Sequence, residues 1–169
     1  MNSIRLLRLD PTTEQALESH AKYIEAMATE DWSLLADAVQ DVAGKELDAL
    51  PLDDSELHWG GYVAADLDTR QFVGSCAFKS PPSGDGVVEI AYFTYPGGEG
   101  KGYTTAMAAK LIAIGSASPE VTGIIAHTLP EKSASTRLLE KNGMRLVGEV
   151  VDPEDGRVWR WEFAASSRP

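Results

Sequence analysis

The segment that most constrains this chain is YPGGEGKGYTTA (residues 95–106), a glycine-rich turn between two strongly patterned runs. Before it, VVEIAYFTY (87–95) is aromatic and β-branched and reads as a strand. After it, YTTAMAAKLIAIGS (103–116) reads as a helix in which only Lys110 is strongly polar, a pattern that demands burial against a sheet. A strand-to-helix junction of this kind offers free backbone N–H groups and the positive end of a helix dipole, which suits a phosphate or pyrophosphate. Two standard nucleotide loops are excluded. A P-loop needs Ser or Thr after Gly-Lys, but Gly102 follows Lys101, and Tyr95 stands where the first glycine belongs. A dinucleotide fingerprint needs a third glycine where Thr105 stands, and the preceding strands read as antiparallel hairpins. A plain tight turn is the competing reading.

The rest of the chain arranges itself around this junction. IRLLRL (4–9) reads as a first strand, and 13–49, rich in Ala, Leu and Glu and free of proline, as two helices broken near Thr29 to Trp32. A polar connector, Pro51 to Glu56, leads to WGGYVAADL (59–67) and QFVGSCAF (71–78), which with 87–95 form three antiparallel strands separated by DTR and SPPSGDG turns. GIIAHTL (123–129) is a strand, Ser133 to Asn142 an amphipathic helix ended by Gly143, and RLVGEVVD (145–152) with RVWRWEF (157–163) a hairpin around PEDG. Trp159, Trp161 and Phe163 share one face of its second strand, as core or as a dimer surface. The order β α α β β β α β α β β, without repeats, is that of a mixed α/β or α+β domain. At 169 residues one domain is expected.

Charge and cysteine content narrow the function. The formal charge of -11 lies wholly between Asp10 and Glu56, where 13 acids face two bases. Nucleic acid and anionic membranes are therefore poor partners. No stretch approaches a membrane span and the opening MNSIRLLRLD lacks a secretory signal, so a cytoplasmic location is expected. One cysteine, Cys76, permits neither an internal disulfide nor a Cys-rich zinc site, and His20 and His58 have no partners at ligand spacing, so no metal is expected. Cys76 and His127 both fall on core strands, and each reads as a structural residue rather than a catalyst.

VEIAYFTYP and GEGKGYTTA, followed by a strand, PEKSAS, a helix and LLEKNGMRLVGE, resemble the GNAT superfamily of acetyl-CoA-dependent N-acetyltransferases. The resemblance is closest to the branch containing the ribosomal-protein N-terminal acetyltransferases. It covers 59–163 well and the first 58 residues only as a β-α-α order. It implies an α+β (mixed α/β) fold: a mostly antiparallel twisted sheet of about seven strands flanked by about four helices, with 1–58 bordering the acceptor side. It also implies that the pyrophosphate of coenzyme A rests on Gly100, Lys101, Gly102, Tyr103, Thr104 and Thr105. Gly102 matches the family loop, while Glu99 and Thr104 depart from it, and Lys101 is placed to offset the Glu99 carboxylate.

Acetyl transfer from a thioester needs an uncharged amine, and an ammonium with a pKa near ~10 is almost wholly protonated at neutral pH. A general base is required. Glu89 is the candidate, as the one acid in VVEIAYFTY and on the strand where the family often carries its base; a carboxylate paired with a cation is the structural alternative. The resemblance assigns a backbone donor for the thioester oxygen, and the path of the pantetheine arm, to Phe93, Thr94 and Tyr95. Many relatives protonate the thiolate with a tyrosine where this chain has Leu139. The closer branch has Asn, two residues and Ser, and here Lys132 replaces the asparagine while Ser135 matches the serine. Ser135 then bonds the thiolate, or merely caps the helix. The acceptor would be a small-molecule amine or a peptide N-terminus, the protein a monomer or homodimer. The competing readings are an acyl-CoA-binding module without catalysis and a protein-interaction domain.

Overall fold

The computed structural model describes residues 4–8, 59–69, 71–95 and 97–165. They form seven strands, β1 (Ile4–Arg8), β2 (Gly61–Asp66), β3 (Gln71–Phe78), β4 (Val87–Thr94), β5 (Gly123–Thr128), β6 (Arg145–Asp152) and β7 (Gly156–Ala164). Two helices, α1 (Tyr103–Ala117) and α2 (Ala134–Lys141), complete the described elements. The two helices expected within 13–49, the acidic stretch, His20 and His58 lie outside the described residues.

All seven strands join one sheet in the order β1-β2-β3-β4-β5-β7-β6. Every neighbouring pair is antiparallel except β4 and β5, which the α1 crossover makes parallel. The expected architecture, a mostly antiparallel seven-stranded sheet, is the one found. The parallel pair is also the short one: Val87, Val88 and Glu89 pair with Gly123, Ile124 and Ile125, and the ladder stops there. Beyond it β4 continues along β3 as far as Thr94, while β5 continues along β7 as far as Thr128. The sheet therefore forks after Glu89.

The core explains why α1 is so apolar. Tyr103, Met107, Leu111 and Gly115, four residues apart, are buried with Ala108 and Ile112 where the helix crosses the sheet. Gly115 lets it approach closely, since a Cβ there would stand 3.1 Å from Ile124 Cδ1. Burying a side chain such as Leu111 contributes about 1.5 to 3 kcal/mol. Trp161 is buried and donates from Nε1 to Thr128 Oγ1 at 3.1 Å, with Trp159 and Phe163 packed on the same core, so the aromatic stripe of β7 is core.

The start of α1 is tied to β2 through a buried acid. Asp66 accepts from the Tyr103 hydroxyl at 2.6 Å and from the amides of Asp68 and Thr69. Burial pulls the Asp66 carboxyl upward, but the Tyr103 hydroxyl and the two amides outweigh it and hold it below the ordinary carboxylate value. Tyr103 in turn is pushed up to about 12, first by its bond to Asp66 and then by burial. A carboxyl whose pKa is lowered by folding stabilises the fold above its unfolded value, about 3.9, and that contribution is lost as pH falls through the folded value. Tyr103→Phe should cost about 1.5 to 3 kcal/mol at neutral pH. The gap in melting temperature from the parent should close as pH falls below about 4. A gap independent of pH would show that the bond is not to an ionised carboxylate.

Candidate active site

A fork in a sheet removes the partner of one strand edge, and alternation determines which groups it uncovers. The Tyr95 amide donates to Val73 and the Glu89 carbonyl accepts from Lys79, so odd-numbered residues of β4 direct their backbone groups to the β3 side. Ile90, Tyr92 and Thr94 direct theirs to the side that β5 has left. Within the segment expected to polarise the thioester, the Thr94 amide is thus the one that faces the fork. Side chains alternate too. Val88 and Ile90 are buried in the core, while Glu89, Ala91 and Phe93 take the other face. On β5, Ile124, Ala126 and Thr128 are buried, which leaves His127 on the face of Glu89.

The fork opens into a cleft of about 340 Å³ whose walls include Lys79, Glu89, Tyr92, His127, Glu131, Ser135 and Asp155. It admits groups from both sheet faces. On one wall Glu89 Oε1 lies 2.9 Å from His127 Nδ1 and 3.0 Å from Lys79 Nζ. Glu89 and His127 keep only 21% and 16% of their side-chain surface, so this pair is mostly buried, while Lys79 at 45% reaches solvent. The bond to Glu89 raises the pKa of the Lys79 ammonium against the opposing pull of burial. The sequence alternative for Glu89, a carboxylate paired with a cation, therefore describes a real contact. His127, read from sequence as a core residue, instead lines the cleft.

On the other wall Tyr92 and Ser135 share a hydrogen bond of 2.9 Å between hydroxyls. Burial pushes the Tyr92 hydroxyl up, and the bond to Ser135 offsets part of this. The capping role considered for Ser135 belongs to Ser133: its Oγ accepts from the Thr136 amide, and the Thr136 hydroxyl accepts from the Ser133 amide. That box leaves Ser135 free to face Tyr92. Leu139, at the position of the tyrosine common among relatives, is fully buried. Tyr92 brings a phenol to the cleft from a different element.

The glycine loop ends beside this cleft strand. Gly97, Gly100 and Gly102 all have positive φ, and Gly102, at 80°, is the N-cap of α1 with no side-chain cap. The first helical bond runs from the Ala106 amide to the Gly102 carbonyl, so the amides of Tyr103, Thr104 and Thr105 make none within the helix. Thr104 bonds Thr94 through their hydroxyls at 2.5 Å, joining the helix start to the end of β4. Glu99, whose carboxylate departs from the family loop, accepts from the Gly97 amide at 2.8 Å and is held in the turn. Lys101 and Lys132 are exposed, Phe93 is at the exposed margin, and Tyr95 is buried. Helix amides without a side-chain cap and, among the described residues, a strand edge that β5 has left fit a phosphate followed by an extended, amide-containing arm.

Cys76 is buried in β3, burial pushes its thiol up, and it does not line the cleft. Among the described residues no group of His, Cys, Asp and Glu could hold a metal ion, and no helix is long and apolar enough to cross a membrane.

Among the described residues the sheet forks at its one parallel pair, and the start of α1, without a side-chain cap, lies beside the end of β4. The chain belongs to the GNAT acetyltransferase family, whose sequence model, described as "Acetyltransferase (GNAT) domain", matches residues 6–145. Its class is that of acetyl-CoA-dependent N-acetyltransferases. No curated protein sequence matches the chain. Among solved structures it is similar to a GNAT-family acetyltransferase from Bacillus anthracis, with 18% identity, TM-score 0.60 and coverage of 96% of this chain and 95% of that one. It is also similar to spermidine N-acetyltransferase from Vibrio cholerae in complex with CoA and spermine, with 14% identity, TM-score 0.61 and 96% of each chain covered. A point mutant of the spermidine enzyme from Vibrio cholerae gives 16% identity and TM-score 0.62 over 97% of this chain and 94% of that one. At these identities the likeness establishes the fold.

Proposed function

We propose that the chain acetylates a small cationic amine, taken up in a ternary complex with acetyl-CoA, at the fork between β4 and β5. One observation carries the reading: the fork brings a carboxylate–imidazole pair, Glu89 and His127, and a hydroxyl pair, Tyr92 and Ser135, to walls of the same cleft. In this reading the amides of Gly100 to Thr105, with Lys101 and Lys132 nearby, hold the pyrophosphate, and acetyl-CoA supplies the acetyl thioester. The Thr94 amide polarises the thioester oxygen. The Glu89 and His127 cluster takes the proton from the amine, and the Tyr92 and Ser135 pair returns one to the sulfur. Direct attack is favoured over an acyl-enzyme because the chain's single thiol is buried away from the cleft.

Charge selects the acceptor. Glu89, Glu131 and Asp155 line the cleft against Lys79, and the acids of 10–56 belong to the segment that the family resemblance puts on the acceptor side. A polyamine suits this field best, and two of the similar structures named above are spermidine N-acetyltransferases. The ribosomal-protein branch predicts a basic peptide terminus instead, and an amino sugar is the third candidate. The 169 residues would act as one domain, with 1–58 closing the acceptor side. Release of free thiol from acetyl-CoA should be fastest with spermidine among a polyamine, an amino sugar and a basic peptide. Tyr92→Phe should lower kcat about 10²-fold. Binding of coenzyme A with no turnover on any amine would leave an acyl-CoA-binding module.

A further inference from the structure

We propose that the proton acceptor in this fork is Nε2 of His127, with Glu89 as the residue that positions it and Lys79 as the counter-charge of Glu89. This rests on the reading of the fork as the site of acetyl transfer. An ionised carboxylate only accepts hydrogen bonds, so the 2.9 Å contact between Glu89 Oε1 and His127 Nδ1 requires the proton on Nδ1. A neutral imidazole with its proton on Nδ1 carries its lone pair on Nε2. Among the described residues that atom has no protein partner, and the ring lines the cleft. Glu89 is the poorer proton acceptor: Oε1 already accepts from both Nδ1 and the Lys79 ammonium at 3.0 Å, so its charge is met by a cation before any substrate arrives. An imidazole, by contrast, ordinarily changes charge between about pH 5 and 8, which suits a base at neutral pH. A carboxylate behind Nδ1 also holds the ring in the right tautomer and compensates the imidazolium that forms.

The protons balance. A substrate ammonium loses two on becoming an amide. Nε2 takes the first and passes it to solvent; the freed lone pair attacks the thioester carbon. The N–C bond forms and the C–S bond breaks. The second proton, lost as the amide forms, passes through solvent to the Tyr92 oxygen and replaces the one that Tyr92 delivers to the sulfur. The groups facing His127 are Glu89 on β4, Lys79 after β3, Arg160 opposite it on β7 with its partner Glu162, Asp152 at the end of β6, and Glu131 and Asp155 on the cleft.

Nitrogen-15 NMR of the histidine rings in the intact protein reads the tautomer directly, with His127→Gln identifying which of the three histidine signals is lost. The expected form has the proton on Nδ1; a ring protonated on Nε2 at high pH would overturn the proposal without any mutant having to fold. In kinetics, His127→Gln should lower kcat/KM at least 10²-fold and remove the rising limb of its pH profile. Glu89→Gln should keep that limb while weakening the bias toward the Nδ1 tautomer in the NMR spectrum, because a neutral amide oxygen accepts the Nδ1 proton less strongly than a carboxylate. If Glu89→Gln removes the limb and His127→Gln keeps it, Glu89 is the base and the inference fails while the site stands. If both variants turn over like the parent, the fork is not the reaction site and the functional reading falls as well.

Discussion

Coenzyme A should raise the melting temperature of the parent protein and leave that of Gly102→Glu unchanged. At a ligand concentration 100 times its Kd, binding adds about 2.7 kcal/mol to stability, roughly 5 to 11 °C for a chain of this size. The expected loss is the whole of that shift. Gly102 is the left-handed N-cap of α1 at φ 80°, immediately before the amides of Tyr103, Thr104 and Thr105. Any side chain there costs roughly 1 kcal/mol of backbone strain. A carboxylate at a helix start recovers about 0.3 to 1 kcal/mol from the dipole, so the variant should fold nearly as well as the parent. It fails to bind because its carboxylate competes for the amides that a pyrophosphate needs and repels the phosphate charge. Gly102→Ala separates the causes: it carries the strain without the charge and should keep most of the shift. Undiminished stabilisation of Gly102→Glu by coenzyme A would place the phosphates elsewhere.

That loop was legible because its chemistry is local. Three glycines with positive φ, a helix without a polar face and a strand before it are all written within 95–117. The extents of β3, β6 and β7 were legible for a similar reason, since alternation and turn residues are short-range signals. Glu89 stood out as an acid in an apolar strand. Its partners did not, because His127 is 38 residues away and becomes a neighbour only when β5 lies parallel to β4. The point where that pairing stops was invisible too: nothing in VVEIAYFTY marks Glu89 as its last paired residue. The Tyr92 to Ser135 bond spans 43 residues, too far for any local pattern to pair the two, and the cap belongs to Ser133. Thr136, three residues after Ser133, was the available signal, since a side chain at that spacing completes a capping box. With the cap on Ser133, Ser135 is left for the cleft.

One glycine of the sheet has no turn to make. Gly74 sits inside β3, opposite Thr94, where a Cβ would stand 2.4 Å from the Phe93 carbonyl oxygen and 2.7 Å from Met107 Cε. The methionine tip can move; the carbonyl belongs to the part of β4 that, among the described residues, has only β3 beside it. Gly74→Ala should therefore lose about 1 to 3 kcal/mol, seen as a fall in melting temperature of about 2 to 12 °C, and Gly74→Val more. Because the end of β4 must shift to relieve the contact, affinity for coenzyme A should fall along with stability, as the Thr94 amide and the Thr94 to Thr104 bond move with it. Met107→Leu decides which contact matters, since it removes the Cε atom at nearly constant volume. If Gly74→Ala is fully restored in that background, the side chain was the obstacle and β4 is not held by this approach. If the loss persists, the backbone of the forked strand is fixed by the absence of a single methyl group on its neighbour.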